Sequence, residues 1–484
     1  MSPKPHTKDD RDLLAREAGT IRKEAPVRVA LGYPAPYGVA VSSLGFQWAY
    51  RTMNEHPLVA CERFFLGPRG GRSGALTTLE RRSPVGSASA VAISVSCETE
   101  LMGAVRLLRE SGLEPLAAQR APRDPIVIAG GPLTYLDPRL LAPLADVVVV
   151  REGEAALAAF LEALPRGAGK EETLGALCGG VPGLWVPASS ETPPAAADTP
   201  VDLLPARATT WSPDAELKDL FLVEAARGCP RGCAFCLLSR RAGLPGRFRP
   251  VPIDRILSAV PEDAPGVGLV GAAVTDHPEI EEAVRLVVES GKRASLSSIR
   301  ADRLTPRLAG YLAEGGARTL TLAADGSSQR LRDSVSKGIS EKHLVDASTI
   351  AASAGMRGVK LYSMVGLPGE EHRDLEEFAR TVGLLDRRLK ISIAVQAFVP
   401  KPGTPMSEEP MADVKVIRKR LEILRKLLRG RARLVPTSAR WSWLDWKLSH
   451  GGEASALAAI DAETEGGTYG AWKRAVSRHL GGER

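Results

Sequence analysis

The residues best placed to do chemistry form one short run, Gly228-Cys229-Pro230-Arg231-Gly232-Cys233-Ala234-Phe235-Cys236, with the spacing C-x3-C-x2-C. Thiolates suit iron and zinc. A structural zinc site takes four ligands, usually from two paired motifs, and no second Cys pair or Cys–His pair accompanies this run. A ferredoxin-type cluster takes four thiolates, and only three are grouped. Three protein ligands leave one metal position open, as catalysis requires. The bland alternative is a set of buried structural cysteines, a poor fit to three thiols in eight residues interrupted by Pro and Gly. Cys61, Cys97 and Cys178 are dispersed. Six cysteines in 484 residues do not form a disulfide framework.

The run must be held by something, and the surrounding pattern says what. It follows a strand candidate, Leu220–Ala226. Further candidates are Gly266–Ala273, Ala294–Ile299, Thr319–Ala323, Val359–Val365 and Ile391–Phe398, with helical stretches between most of them. Parallel strands joined by helices imply a barrel or partial β/α barrel over residues 214–435. Val414–Arg429 reads as a basic amphipathic helix. Upstream, Val27–Leu31, Val91–Val95, Ile126–Ala129 and Asp146–Val150 are apolar runs separated by helical stretches. Strands without polar alternation are covered on both faces, so residues 25–185 read as a doubly wound, Rossmann-like α/β domain. Residues 1–24 are a polar leader. Residues 186–213, rich in Pro, Ala, Ser and Thr, read as a linker. Residues 436–484 form a small helical extension with Trp441, Trp443, Trp446 and Trp472.

Composition narrows the classes. Hydrophobic residues make up 44% and charged residues 25%, an ordinary soluble balance. The 64 basic against 57 acidic residues leave +7, thin for a dedicated nucleic-acid binder. No apolar run reaches the roughly 18 residues of a membrane span. The leader has neither the apolar core of a secretion signal nor the acid-poor character of a transit peptide. The expectation is a cytoplasmic protein with no membrane partner and no indicated nucleic acid.

The cysteine run, with aromatic Phe235 before its last Cys, resembles the signature of the radical S-adenosylmethionine superfamily. The resemblance covers roughly residues 215–440. It implies a [4Fe–4S] cluster on Cys229, Cys233 and Cys236, whose fourth iron is chelated by the methionyl amino and carboxylate groups of S-adenosylmethionine. It implies reductive cleavage of the sulfonium to a 5′-deoxyadenosyl radical that takes hydrogen from a substrate. An electron donor such as a flavodoxin or ferredoxin is implied with it. Later segments carry the likeness further. Leu269-Val270-Gly271-Ala272-Ala273 is similar to the strand end that binds the methionyl amino group. Ser298 and Arg300 stand where the next strand end faces the site. Ala324-Asp325 occupies the place of the family's Pro-Glu, the acid one methylene shorter. Gly366-Leu367-Pro368-Gly369-Glu370 is similar to the turn beside the adenine, and Pro400–Pro405 to the last loop. Phe235, Gly271, Ala272, Ser298, Arg300, Asp325, Gly366 and Glu370 are therefore the expected cosubstrate residues.

A doubly wound sheet binds ligands at the carboxyl ends of its strands. Placed before such a core, this one resembles the cobalamin-binding domains of the superfamily's cobalamin-dependent class, and most closely an uncharacterised subgroup opening with Tyr33-Pro34 and Gly45-Phe46-Gln47. The implied cobalamin residues are Ser94, Ser96, Gly130, Gly131, Pro132 and Glu152. None of the seven histidines lies in an Asp-x-His-x-x-Gly motif that would ligate cobalt. The implied reaction is C-methylation of a substrate the sequence does not reveal. Two readings compete. One is a cobalamin-independent enzyme such as an RNA-modifying methylthiotransferase, with a second cluster on Cys61, Cys97 and Cys178. The other is a non-catalytic iron–sulfur electron carrier. His277, after a strand end, reads as a loop residue.

Overall fold

A computed structural model of the chain describes residues 10–67, 75–167, 169–196, 198–239, 248–297 and 299–481. The chain divides into two compact units, Met1–Phe221 with Lys447–Arg484, and Leu222–Trp446.

In the first unit the strands are β1 (Val27–Tyr33), β2 (Val59–Phe65), β3 (Ala90–Ser94), β4 (Ile126–Gly130), β5 (Val147–Val149) and β6 (Leu184–Trp185). They lie in the order β2-β1-β3-β4-β5-β6. The first five are parallel, and β6 closes the edge antiparallel to β5. Nearly every residue of β1, β3 and β4 is buried, as expected of a parallel sheet covered on both faces. The strand order reverses between β1 and β3, and a doubly wound sheet opens its ligand crevice at such a switch point. The helix Leu44–Glu55 begins at an N-cap where Ser43 accepts from the Phe46 N–H.

Strand β2 is absent from the sequence pattern because Glu62 and Arg63 interrupt it. Both are buried. The Arg63 guanidinium pairs with Glu17 at 2.5 Å and Glu80 at 2.7 Å, and stands 4.4 Å from the Tyr50 ring centroid. Tyr37 donates to Glu17 at 2.7 Å. Glu17 belongs to the polar leader, so that segment ends inside the fold. Segment 186–213 is anchored too. Thr199 and Thr210 are buried, and Thr210 Oγ1 accepts from the Gln47 amide at 2.8 Å. The C-terminal helices Glu453–Thr464 and Tyr469–His479 belong to this same unit, with Glu453–Thr464 packed on Leu101–Glu110. Trp472 is buried, whereas Trp441 is exposed.

In the second unit β7 (Phe221–Glu224) and a short β8 (Ala226–Arg227) precede the cysteine loop, and β9 (Arg249–Pro250) pairs antiparallel with β8. The core strands continue with β10 (Gly266–Val270), β11 (Arg293–Leu296), β12 (Thr319–Asp325), β13 (Gly358–Val365), β14 (Lys390–Ala397) and β15 (Ala432–Pro436). They form two sheets, β11-β10-β7 and β12-β13-β14-β15. A parallel bridge between Ile299 and Leu322 joins them. The pairs from β12 to β15 are parallel. In β13 and β14 buried residues alternate with half-buried ones, so one face lies under helices and the other lines a partly open interior. This is the expected partial β/α barrel. No helix among the described residues is long and apolar enough to cross a membrane.

The Arg63 network is a buried charge cluster, and its loss has a definite sign. Burial raises the Glu17 carboxyl, but the Arg63 charge and hydrogen bonds from Arg63, Thr20 and Tyr37 outweigh it and hold it below the ordinary glutamate range. Arg63→Ala strands two buried carboxylates and should lower unfolding stability by about 3–5 kcal/mol in urea titrations. Arg63→Met combined with Glu17→Gln and Glu80→Gln should recover part of that loss, since no lone charge remains. Because the folded Glu17 titrates below its unfolded value, its stabilisation is present above the ordinary glutamate range. It is lost as pH falls through the lower folded value, and Glu17→Gln should flatten that acid limb.

Candidate functional site

The cysteine loop leaves β8 through Gly228, whose φ of +77° is the left-handed conformation glycine adopts freely. Arg227 clamps Glu224 with bonds of 2.7 and 2.9 Å. Within the loop the Cys236 N–H donates to the Cys233 carbonyl at 3.2 Å, and the Ser239 N–H to the Cys236 carbonyl at 3.1 Å. The Ala234 N–H donates to the Val335 carbonyl at 2.9 Å, tying the loop to the end of helix Gln329–Ser334. Cys233 is buried, and Cys229 and Cys236 are half-buried. Phe235 packs with Leu331, Val335, Leu367 and Phe398. The aromatic thus fixes the loop against the turn after β13 and the end of β14.

Burial pushes the Cys229 and Cys236 thiols up, and the neighbouring thiols push the same way. Backbone N–H groups and two cations oppose this, Arg300 at Cys229 and Lys337 at Cys236. Those cations belong to a network across the carboxyl ends of the strands. Lys337 Nζ lies 2.5 Å from Asp325 at the end of β12. Arg300 binds Asp302 at 2.9 Å and the Lys337 carbonyl at 3.2 Å. Arg231 of the loop binds Asp276 at 3.0 Å, and Arg303 reaches the same carboxylate at 3.2 Å. Asp325 has φ +60° at a bulge in β12, a strained setting for a non-glycine residue.

The other expected cosubstrate residues divide. Gly271 follows β10, and a Cβ there would stand 2.6 Å from the Ala226 carbonyl, so only glycine lets this strand end meet the strand that launches the loop. Ala272 beside it is exposed. Ser298 lies outside the described residues. Gly366 has φ +84° and forms the turn after β13. Glu370 is engaged within the fold. Its buried carboxylate accepts from the Gly366 N–H at 2.7 Å and Ser327 at 3.1 Å, and pairs with Arg420 at 2.8 Å. Both oxygens are committed to the fold. His277 is likewise a brace, buried with Nε2 2.8 Å from the Val251 carbonyl. Lys337 and Asp276 escaped the sequence reading. Arg231 could have been found because it sits inside the cysteine run; Lys337 had no local signal.

At the switch point of the first unit, the Tyr33 and Ser96 hydroxyls lie 2.8 Å apart. Ser94 ends β3 beside Gly131, whose φ is +111° and whose Cβ would stand 2.6 Å from the Val95 carbonyl. Gly130 packs against Val149 in the same way, at 2.9 Å, and Pro132 is exposed. Glu152 is engaged in the same way. It is buried, accepts from the Thr199 N–H at 2.7 Å, and so anchors the following segment. Arg151, unremarked in the sequence, follows β5 with φ +63°.

The donor sets can be tested against the groups they are expected to hold. Three thiols on one ion would sit about 3.8 Å apart, given Zn–S bonds of about 2.3 Å. Among the described residues no three His, Cys, Asp or Glu side chains are grouped to hold an ion, the Cys229–Cys233–Cys236 trio included. A polynuclear cluster sets each thiolate on its own iron, and the loop brings three thiols near enough for Cys229 and Cys236 to sense their neighbours. At the switch point Tyr33, Ser94 and Ser96 bring hydroxyls beside the close-packed Gly130 and Gly131, and none of these residues is a histidine.

Comparison with known proteins agrees with this geometry. Residues 45–187 match the family model described as radical SAM proteins, N-terminal, and residues 223–382 that of the radical SAM superfamily. The chain is 35% identical over 195 residues to an uncharacterized protein of Methanocaldococcus jannaschii, covering 39% of this chain and 43% of that one. It is 25% identical over 305 residues to an uncharacterized methyltransferase of Pyrococcus horikoshii, covering 59% of this chain and 63% of that one. The chain thus spans less than two thirds of either relative. Its fold is similar to that of TsrM from Kitasatospora setae, a radical S-adenosylmethionine methyltransferase solved with cobalamin and a [4Fe–4S] cluster. There the TM-score is 0.54 at 14% identity, over 91% of this chain and 90% of that one. A structure of the same enzyme with tryptophan substrate and a cosubstrate analogue matches with TM-score 0.55 at 13% identity, over 79% of this chain and 75% of that one. The two family matches together cover more than half of the residues, and the chain belongs to the radical S-adenosylmethionine superfamily.

Proposed function

We propose that this chain is a cobalamin-dependent radical enzyme that methylates a carbon of a small organic substrate. The observation that carries the reading is the three-thiol loop at the carboxyl end of the first barrel strand, in a chain whose other unit is a doubly wound sheet with a hydroxyl-lined switch point. The fold likeness to TsrM and the methyltransferase name of the Pyrococcus relative support it. Cys229, Cys233 and Cys236 hold the cluster, and Tyr33, Ser94, Ser96, Gly130 and Gly131 receive the cobalamin. When bound, the cluster supplies the electron that cleaves the sulfonium, and the cobalamin supplies a methyl carrier.

The chain's own residues do the positioning. Phe235 fixes the loop by packing on Leu367 and Phe398. Gly271 keeps the β10 end tight against the loop's root, and the Ser297 hydroxyl holds its carbonyl at 3.1 Å. Asp325 pairs with a primary ammonium, that of Lys337. A methionyl ammonium is chemically equivalent, so Asp325 is the carboxylate that receives it, with Lys337 yielding place. Arg300 stands ready for the methionyl carboxylate, held by Asp302 at its other edge. The electron comes from an acidic carrier protein such as a flavodoxin or ferredoxin.

Four measurements test this. Anaerobic protein should carry about four irons, and replacing Cys229, Cys233 and Cys236 together by Ala should abolish them; a triple variant that keeps its cluster refutes the site, and about eight irons would favour the two-cluster methylthiotransferase. Asp325→Ala should weaken S-adenosylmethionine binding about tenfold, on the scale of a lost charge-assisted hydrogen bond, with iron content unchanged. Glu370→Gln should instead lower unfolding stability by about 1–3 kcal/mol, because its amide cannot accept from all its donors. Reconstituted with cobalamin, the protein should move labelled methyl from S-adenosylmethionine into a small molecule of a cell extract. Failure to bind cobalamin would remove methylation and leave the radical enzyme standing, and absence of cosubstrate cleavage would leave only the electron-carrier reading.

A further inference from the structure

The helix Val414–Leu427 has two unlike faces. Ile417, Leu421 and Leu424 are buried, as is Leu428 just beyond its end. These recur at helical spacing and form its inner stripe. Lys415, Arg418, Lys419, Arg425, Lys426 and Arg429 are all exposed and recur at the same spacing on the other side, with Glu422 as the one acid among them. Among the described residues none of these six cations is in an ion pair. By contrast Arg420, on the flank, is committed to Glu370 through its carboxylate at 2.8 Å and its carbonyl at 2.6 Å. Val416 and Leu427, three helical turns apart, are also exposed, at 41% and 39%.

The helix stands one layer from the cysteine loop. A Cβ at Gly366 would be 3.5 Å from Ile417 Cγ1, so the inner stripe rests on the turn after β13. The next residue of that turn, Leu367, belongs to the apolar cluster against which Phe235, between Cys233 and Cys236, packs. The order from solvent inward is cations, helix, turn, Phe235, thiols.

We infer that the basic face of Val414–Leu427 is the docking surface for the acidic one-electron carrier protein that reduces the cluster. The inference rests on the radical-enzyme reading above. Six unpaired cations on one face attract an anionic partner and raise its association rate. The exposed Val416 and Leu427 give that partner an apolar edge to bury, as a protein interface uses and a phosphate backbone does not. In the encounter one electron leaves the reduced carrier and enters the oxidised cluster. No covalent bond forms or breaks.

The test uses the full chain and a variant carrying Arg418→Glu, Lys419→Glu, Arg425→Glu and Lys426→Glu, with reduced flavodoxin as the probe. Direct binding of flavodoxin, measured calorimetrically with the protein as isolated, should weaken at least about tenfold in the variant. Wild-type binding should weaken comparably when ionic strength rises from about 0.05 to about 0.5 M. Flavodoxin-driven cluster reduction should slow in step, while dithionite-driven cosubstrate cleavage stays at the wild-type rate and shows the variant is folded. Unchanged flavodoxin affinity overturns the inference. So does wild-type retention of transfer RNA at moderate salt, lost in the variant while flavodoxin binding is kept, since it gives the face to nucleic acid. If dithionite drives no cleavage in the wild type either, the radical-enzyme reading fails first, and flavodoxin binding alone no longer supports a reductase role.

Discussion

Three thiols confined to eight residues at a buried strand end repel one another as soon as they ionise, and the second unit is arranged to permit it. Burial and mutual charge both favour the neutral thiol, the form that cannot ligate a metal. The opposing elements come from distant parts of the chain. Backbone N–H groups at Arg231 and Leu238 point at the sulfurs. Arg300, beyond β11, and Lys337, in the turn after helix Gln329–Ser334, bring positive charge. Each cation is itself held, Arg300 by Asp302 and the Lys337 carbonyl, and Lys337 by Asp325. A cation left loose would be solvated away; one fixed by a carboxylate stays at the site but has its field partly cancelled. The balance leaves the Cys229 and Cys236 thiols raised, and a bound metal would supply the charge that favours their thiolates.

The first unit solves a related problem with the opposite emphasis. Arg63 is buried among Glu17, Glu80 and Tyr50, with no open strand end to serve. Replacing such a cluster by apolar side chains is often neutral or better for stability, so its value lies in what it joins. Its partners come from the leader and the segment after β2, and Gln47 and Thr210 extend it to the segment after β6. Two stretches without periodicity are thereby pinned to one sheet. The left-handed backbone positions at strand ends, Gly131, Arg151 and Asp325, are different. They stand where ligands bind in such folds, and strain at a non-glycine residue persists only where the surroundings fix it.

What the sequence revealed follows from what local pattern can encode. The apolar strands β1, β3 and β4 declared themselves by composition, as did the strands of the barrel from β10 to β14. Strand β2 stayed hidden because Glu62 and Arg63 read as surface, when the partners that bury them lie elsewhere in the chain. Strand β15 is a half-exposed edge ending in Pro436, too weak a pattern to register. The cysteine run was legible because its chemistry is local. In sequence, an acid beside a glycine turn, such as Glu370 or Glu152, is ambiguous. Only packing shows whether its oxygens face a cavity or, as here, backbone N–H groups of the fold. Lys337 was invisible for the converse reason: its importance comes from an ion pair formed across a helix.

The same distinction governs how far site residues can be exchanged. At Gly271 the constraint is steric, since any Cβ meets the Ala226 carbonyl, and no side chain can satisfy it. At Asp325 the constraint is a charge at a fixed place. The bulge in β12 and the left-handed turn of its backbone alter the path of the strand just where the carboxylate meets Lys337. An aspartate reaches one methylene less far than a glutamate. A backbone displaced at the bulge can make up reach that the side chain lacks. Length of side chain and path of backbone are therefore two routes to one carboxylate position, and a departure from the family's residue at such a site has to be judged together with the strand that carries it.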